Sequence, residues 1–228
     1  MIAALFKGPR PCTFTDQSLG AVVELVSELR CMDTNMDQAL RTELIEMDER
    51  DQAVRAELAA EGSLFDGYHP KMAAVHDSNA TRLRAIIEKH GWPTDRLVGI
   101  HGAKAAYRIA QHAINHPEFM RACRKLLDEA SANGEVPRWQ FAYIDDRVRV
   151  YEGLPQSFGT QWRGGPDGLE PYPIENPSQV DERRAALGLP PLAELRASAE
   201  VKRPWDPQAA RQYEEQELAW RRSVGWVE

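Results

Sequence analysis

Residues 37–62, DQALRTELIEMDERDQAVRAELAAEG, carry the stretch on which the fold class turns. Leu40, Leu44, Met47, Val54 and Leu58 recur at steps of three and four, the spacing that lines one face of an α-helix. Gly62 ends the run as a C-cap should, so the spacing predicts a helix from Asp37 to about Ala60. Asp51 stands in the same stripe, which turns a carboxylate toward the core.

Downstream, the turn-rich GSLFDGYHP leads into a second predicted helix over 71–90, stopped by Gly91 and Pro93. Further helices fit 102–115, 117–132 with Pro117 in its first turn, and 138–152. SFGTQWRGGPDGLEPYPI (157–174) then has two short runs around a Gly/Pro/Asp turn, which reads as a β-hairpin or an ordered loop. From Glu175 the chain reads as short helices broken by prolines, ending in a charged helix over about 207–222. Upstream, a short amphipathic helix fits 16–31. The expected fold is mainly α, an irregular helical bundle with a short β-hairpin or ordered loop after the fifth main helix. The expected division is an N-terminal extension over 1–35, a helical core domain with the hairpin over 36–175, and a C-terminal helical tail over 176–228 packed on the core. There is no internal repeat and no low-complexity segment.

The 228 residues suffice to bury a sizeable core. With 35 acidic against 28 basic side chains, the net charge of −7 gives no overall positive field to hold a phosphate backbone, so no nucleic-acid partner is expected. Cys12, Cys31 and Cys123 are scattered, without a CxxC pair, and read as free thiols. No apolar run reaches the roughly 18–20 residues that cross a bilayer, and MIAALFKGPRPCTF has its charges and prolines in the wrong order for a secretory signal. A soluble, cytoplasmic protein without a membrane partner is expected. Composition leaves the oligomeric state open.

Polar side chains on apolar stripes must find partners inside the fold. Arg55 follows Asp51 by one turn and is a candidate partner for it. In the second helix the stripe Met72, Val75, Asn79, Leu83, Ile86 points Asn79 inward, with His76 on its shoulder. In the third, Ala105, Ile109 and His112 put the imidazole on the inner flank, with Gln111 nearer the polar side. The fifth helix is apolar nearly all round and holds Asp146 in line with Trp139, Ala142, Tyr143 and Val150, so it should be central. Burying an unpaired carboxylate costs several kcal/mol. Asp146 should therefore meet Arg147, Arg55 or a protonated histidine, or else have a raised pKa. Together Asp51, Asn79, His112 and Asp146 are expected to converge on one interior pocket.

A resemblance rests on these same residues. MxxxDQxxR (Met47, Asp51, Gln52, Arg55), Asn79, HGWP from His90, QHA from Gln111, AYxxDR from Ala142 and QxFGTQ from Gln156, followed by PIENPSQVDERRAALGLPPL, resemble a bacterial domain family of unknown function over about 36–195. The resemblance implies no activity. Phe158 stands where that family often has tyrosine, so a hydroxyl there is not essential in this chain, and His116 falls at a position expected to vary.

No motif names a reaction: there is no GxSxG, no Cys/His pair and no Gly-rich phosphate loop. One reading is an enzyme acting on a small polar or anionic molecule, without a cofactor. His112 would transfer the proton, and Asp146 or Asp51 would fix its tautomer. Arg55 or Arg147 would hold an anionic group, with Asn79, Gln156 and Gln161 supplying oriented hydrogen bonds. The alternative is a non-catalytic binding or interaction domain in which these residues form a structural network. A metal site built from His76, His112, Asp51 and Asp146 is a third reading, but ExxH and HExxH spacings are missing and no metal is assigned. A closed, satisfied network favours the second reading, and a concave pocket with His112 exposed favours the first.

Overall fold

Helix α1, Gln38–Glu61, starts where Asp37 accepts a hydrogen bond from the Leu40 N–H at 2.9 Å, satisfying a donor that the first helical turn leaves free. It stops at Gly62, whose φ of 81° is the left-handed geometry that closes a helix end. Helix α2, Pro70–His90, and α4, Pro117–Ala132, each open on a proline, which lacks the N–H that would be unpaired there. Helix α3, Asp95–His112, and α5, Arg138–Tyr151, complete the bundle. The computed structural model describes residues 36–64, 67–166, 168–198 and 206–228, and Asp37–Glu228 form one compact unit. The short helix expected over 16–31 lies outside the described residues.

Helix α3 is central, packing on α1, α2, α4 and α5. It is buried on nearly every side through small residues such as Ala103, Ala105, Ala106 and Ala110, which let the neighbouring helices come close. It begins earlier than the sequence suggests: a first turn from Asp95 is broken at Gly99, φ 67° and ψ 165°, before the helix continues to His112. Helix α5 is also buried almost all round. Leu44, Leu83, Ile109, Met120, Leu127, Ile144 and Val148 are fully or nearly fully enclosed between these five helices.

After α5 come β1, Trp162–Gly165, and β2, Gly168–Pro171, an antiparallel hairpin in which Trp162 faces Pro171 and Gly165 faces Gly168. Two short helices follow, α6, Val180–Ala185, and α7, Leu192–Ser198. The last helix, α8, Pro207–Val224, returns to the bundle, where Trp220 and Trp226 donate their indole N–H groups to Asn115 Oδ1 at 2.9 Å and the Ile114 carbonyl at 2.7 Å. The fold is thus mainly α with one short hairpin. Cys123 is a free, buried thiol, and Cys12 and Cys31 lie outside the described residues. Among the described residues no helix is long and apolar enough to cross a membrane.

Gly159, in the loop between α5 and β1, has φ 68°, and a Cβ there would sit 2.7 Å from Leu192 Cδ1. Both the backbone geometry and the contact demand glycine. Gly159→Ala is expected to lower the melting temperature by about 4–8 °C, from about 2 kcal/mol of left-handed strain and crowding in a domain of this size. A thermal melt that matches wild type would mean that the loop yields without cost.

Candidate functional site

Asp51 reaches the interior from α1, His76 from α2 and His112 from the last residue of α3. Asp51 Oδ2 lies 2.8 Å from His112 Nδ1 and 3.1 Å from His76 Nε2. The first contact is an aligned hydrogen bond. The second is close enough for an ion pair, but His76 Nε2 is off-line for a hydrogen bond and has no aligned partner among the described residues. On its other edge, His76 Nδ1 meets the Tyr68 hydroxyl at 2.8 Å, and the two rings stack. A consistent proton placement has Tyr68 O–H donating to His76 Nδ1, with the Nε2–H of His76 and the Nδ1–H of His112 both directed at Asp51. His112 Nε2 then carries a free lone pair.

Burial alone raises the Asp51 pKa, but the hydrogen bond from His112 and the close approach of His76 outweigh it and hold the carboxyl well below the usual carboxylate range. His112 shifts down from its ordinary 6.5, chiefly through burial, which prevails over the raising influence of Asp51; His76 and the Arg147 cation push the same way as burial. At neutral pH the pair is therefore a carboxylate beside a neutral imidazole.

His112 keeps 21 % of its side chain exposed and lines a cavity of about 560 Å³ together with Tyr68, His76, Arg55, Arg108 and Arg147. Arg108 is held by Asp48 at 3.0 and 3.2 Å. Arg147 donates from Nη1 to the Gln111 carbonyl at 2.7 Å and from Nε to Gln161 Oε1 at 3.1 Å. Arg55 is exposed at the cavity wall and, among the described residues, has no carboxylate partner, so it does not neutralise Asp51 as the one-turn spacing suggests.

The other expected site residues divide. Asn79 is buried and donates to the Met47 carbonyl at 3.2 Å, tying α2 to α1. Asp146 does not join Asp51 and the histidines. It is fully buried, and its oxygens accept from the backbone N–H groups of Ser157 (2.6 Å), Phe158 (2.9 Å) and Thr160 (2.9 Å). Burial raises its pKa and these N–H groups partly reverse the shift. The raised pKa agrees with the sequence expectation, whereas backbone amides rather than arginine or histidine are the partners. Gln156 is fully enclosed, with its amide hydrogens on the carbonyls of Gln161 and Tyr172, so it braces the hairpin instead of facing the cavity. Gln161 reaches the site through Arg147. Gln111 is buried, not on the polar side, with neither side-chain amide atom hydrogen-bonded among the described residues.

A model of a family of unknown function, DUF6624, matches residues 38–201. The chain belongs to this family. No curated protein and no solved structure matches it.

In this DUF6624 chain the donor atoms of Asp51, His76 and His112 lie within 4.8 Å of one another, a set able to hold a metal ion. Asp146, the fourth ligand considered from sequence, is outside that set. His76 and Tyr68 are the members the sequence reading undervalued. A signal for His76 existed: Met72, His76, Asn79, Leu83 and Ile86 repeat at steps of four and three, and all are buried, whereas Val75 is only half-buried.

Proposed function

We propose that this protein is an enzyme using general acid–base chemistry on a small anionic molecule, with His112 Nε2 as the proton-transferring atom. The observation that carries this reading is the 2.8 Å bond from His112 Nδ1 to the buried Asp51 carboxylate, in an imidazole that lines a cavity and keeps part of its surface exposed. Asp51 orients the ring and steadies the positive charge that develops as His112 takes a proton. Tyr68 and His76 hold Asp51 from the far side. Arg147 presents a guanidinium beside His112, positioned by Gln161, and Arg55 adds a second cation at the wall. Asp146 acts at one remove, holding the loop that carries Gln161. The protein is soluble in this reading and acts in the cytoplasm.

One geometric observation favours a second reading in which Asp51, His76 and His112 ligate a divalent cation that activates water: His76 Nε2 is buried near Asp51 without an aligned hydrogen bond. Turnover of a panel of small organic anions by wild type, His112→Gln and chelator-treated protein separates the readings. Loss in His112→Gln with chelator indifference supports acid–base chemistry. Loss on chelation, restored by zinc or manganese, supports the metal. Saturable binding without turnover of any panel member would leave a binding domain.

A further inference from the structure

A second cavity, of about 350 Å³, shares Tyr68, Arg147 and Tyr151 with the histidine-lined one, so the two adjoin along a common wall. Their linings differ in kind. Among the described residues, the histidine-lined chamber has three arginines and three histidines on its wall and no carboxylate. Arg108 is answered by Asp48, but Arg55 and Arg147 have no counter-ion among the described residues. Arg147 is half-buried, and its Nη2 has no hydrogen-bond acceptor among those residues. A guanidinium drawn partly out of water without an anion is costly, and the cavity is where the missing charge belongs. Arg147 and the exposed Arg55 set two cations on the cavity wall against the single Asp51 carboxylate behind His112, a positive surplus that suits an anion such as a phosphomonoester.

The adjoining chamber is walled by the rings of Tyr151, Trp162, Tyr172, Tyr213 and Trp220, with Gln161, Gln216 and Glu217 among them. Flat rings interspersed with amide and carboxyl groups suit a planar or cyclic group that carries hydroxyl or amino donors.

Building on the acid–base reading, we infer that the ligand is a phosphomonoester carried on a ring, its phosphate between Arg147 and Arg55 and its ring among the aromatic side chains of the adjoining chamber. The phosphate would then lie beside His112.

Isothermal titration of the full chain with AMP, glucose 6-phosphate, inorganic phosphate and adenosine tests this, the first two distinguishing a nucleotide from a sugar phosphate. At least one ring phosphate is expected to bind about tenfold or more tightly than inorganic phosphate, with adenosine weaker than AMP. Arg147→Gln should weaken the ring phosphate and inorganic phosphate alike by about tenfold or more. Arg147→Lys keeps the charge without the planar fork and should fall between; it serves in place of Arg147→Gln if that variant melts early. Tyr213→Ala, at a half-exposed ring, should weaken only the ring phosphate. No binding of either ring phosphate at millimolar concentration, equal affinity for inorganic phosphate, or indifference to both Arg147 variants overturns the inference. Ring-phosphate binding with turnover untouched in His112→Gln sinks the acid–base reading alone. Loss of turnover in His112→Gln on other anions, with ring phosphates unbound, sinks this inference alone.

Discussion

Asp146→Ala is expected to lower the melting temperature by about 10 °C or more, while the exposed Lys104→Ala stays close to wild type. The carboxylate is enclosed and takes the N–H groups of the half-buried Ser157, Phe158 and Thr160, so its removal strands three donors. Each stranded donor costs about 1–3 kcal/mol, and in a domain of this length each kcal/mol moves the midpoint by about 2–4 °C. The loop is gripped by charge of the opposite sign as well: the buried Arg184 donates to the Phe158 carbonyl, and Arg183 to that of Ser157. Asp146→Asn is a finer probe, because its NH2 group would be set against N–H groups where the native oxygen accepts. It too should melt well below wild type. A wild-type melt in both variants would show that the loop does not depend on this carboxylate.

The largest kinetic effect is expected at His112. On any anion the wild type turns over, His112→Gln should lower kcat/KM by about 10²–10⁴-fold, the range associated with loss of a positioned general base. Asp51→Asn should lower it too, because an amide at that position no longer prefers the Nδ1–H tautomer or steadies the imidazolium. The pH dependence follows from the direction of the shift. A base must be neutral to act, and His112 has its pKa lowered from 6.5, chiefly by burial, so the rate should rise with pH through a value below 6.5. Binding of a dianion beside the ring would move that limb upward. Retention of kcat/KM within a few-fold in His112→Gln would exclude the imidazole as the proton-transferring group.

The extent to which sequence revealed this site depended on whether a partner was local. Asp51 was legible because the four-and-three spacing of α1 has few readings, and every expected stripe member except the half-buried Val54 is buried. The same periodicity in α2 offered Val75 or His76, and hydrophobicity pointed to the valine; the helix turns the histidine inward because a charged partner from α1 awaits it. Asp146 was correctly read as inward, but its partners are backbone amides 11 to 14 residues along the chain, and no periodicity reports where a loop folds back. The break at Gly99 hid the start of α3, since glycine ahead of a helix is equally a turn signal. Trp220 and Tyr68, far apart in the chain, meet edge to ring at 5.7 Å only once α8 has docked. Pair spacing therefore gave the helices and their inward faces, while the cavity walls come from docking between distant segments.

In the proposed mechanism His112 is neutral at pH 7 and bonded through Nδ1 to an ionised Asp51, with no hydrogen-bond partner for Nε2 among the described residues. Long-range proton–nitrogen correlation spectra of the imidazole groups, assigned by comparison with His112→Gln and followed with pH, read that state directly. The expected result is the Nδ1–H tautomer for His112 at pH 7 and a protonation midpoint below 6.5. An Nε2–H tautomer, or an imidazolium persisting at pH 7, would contradict it.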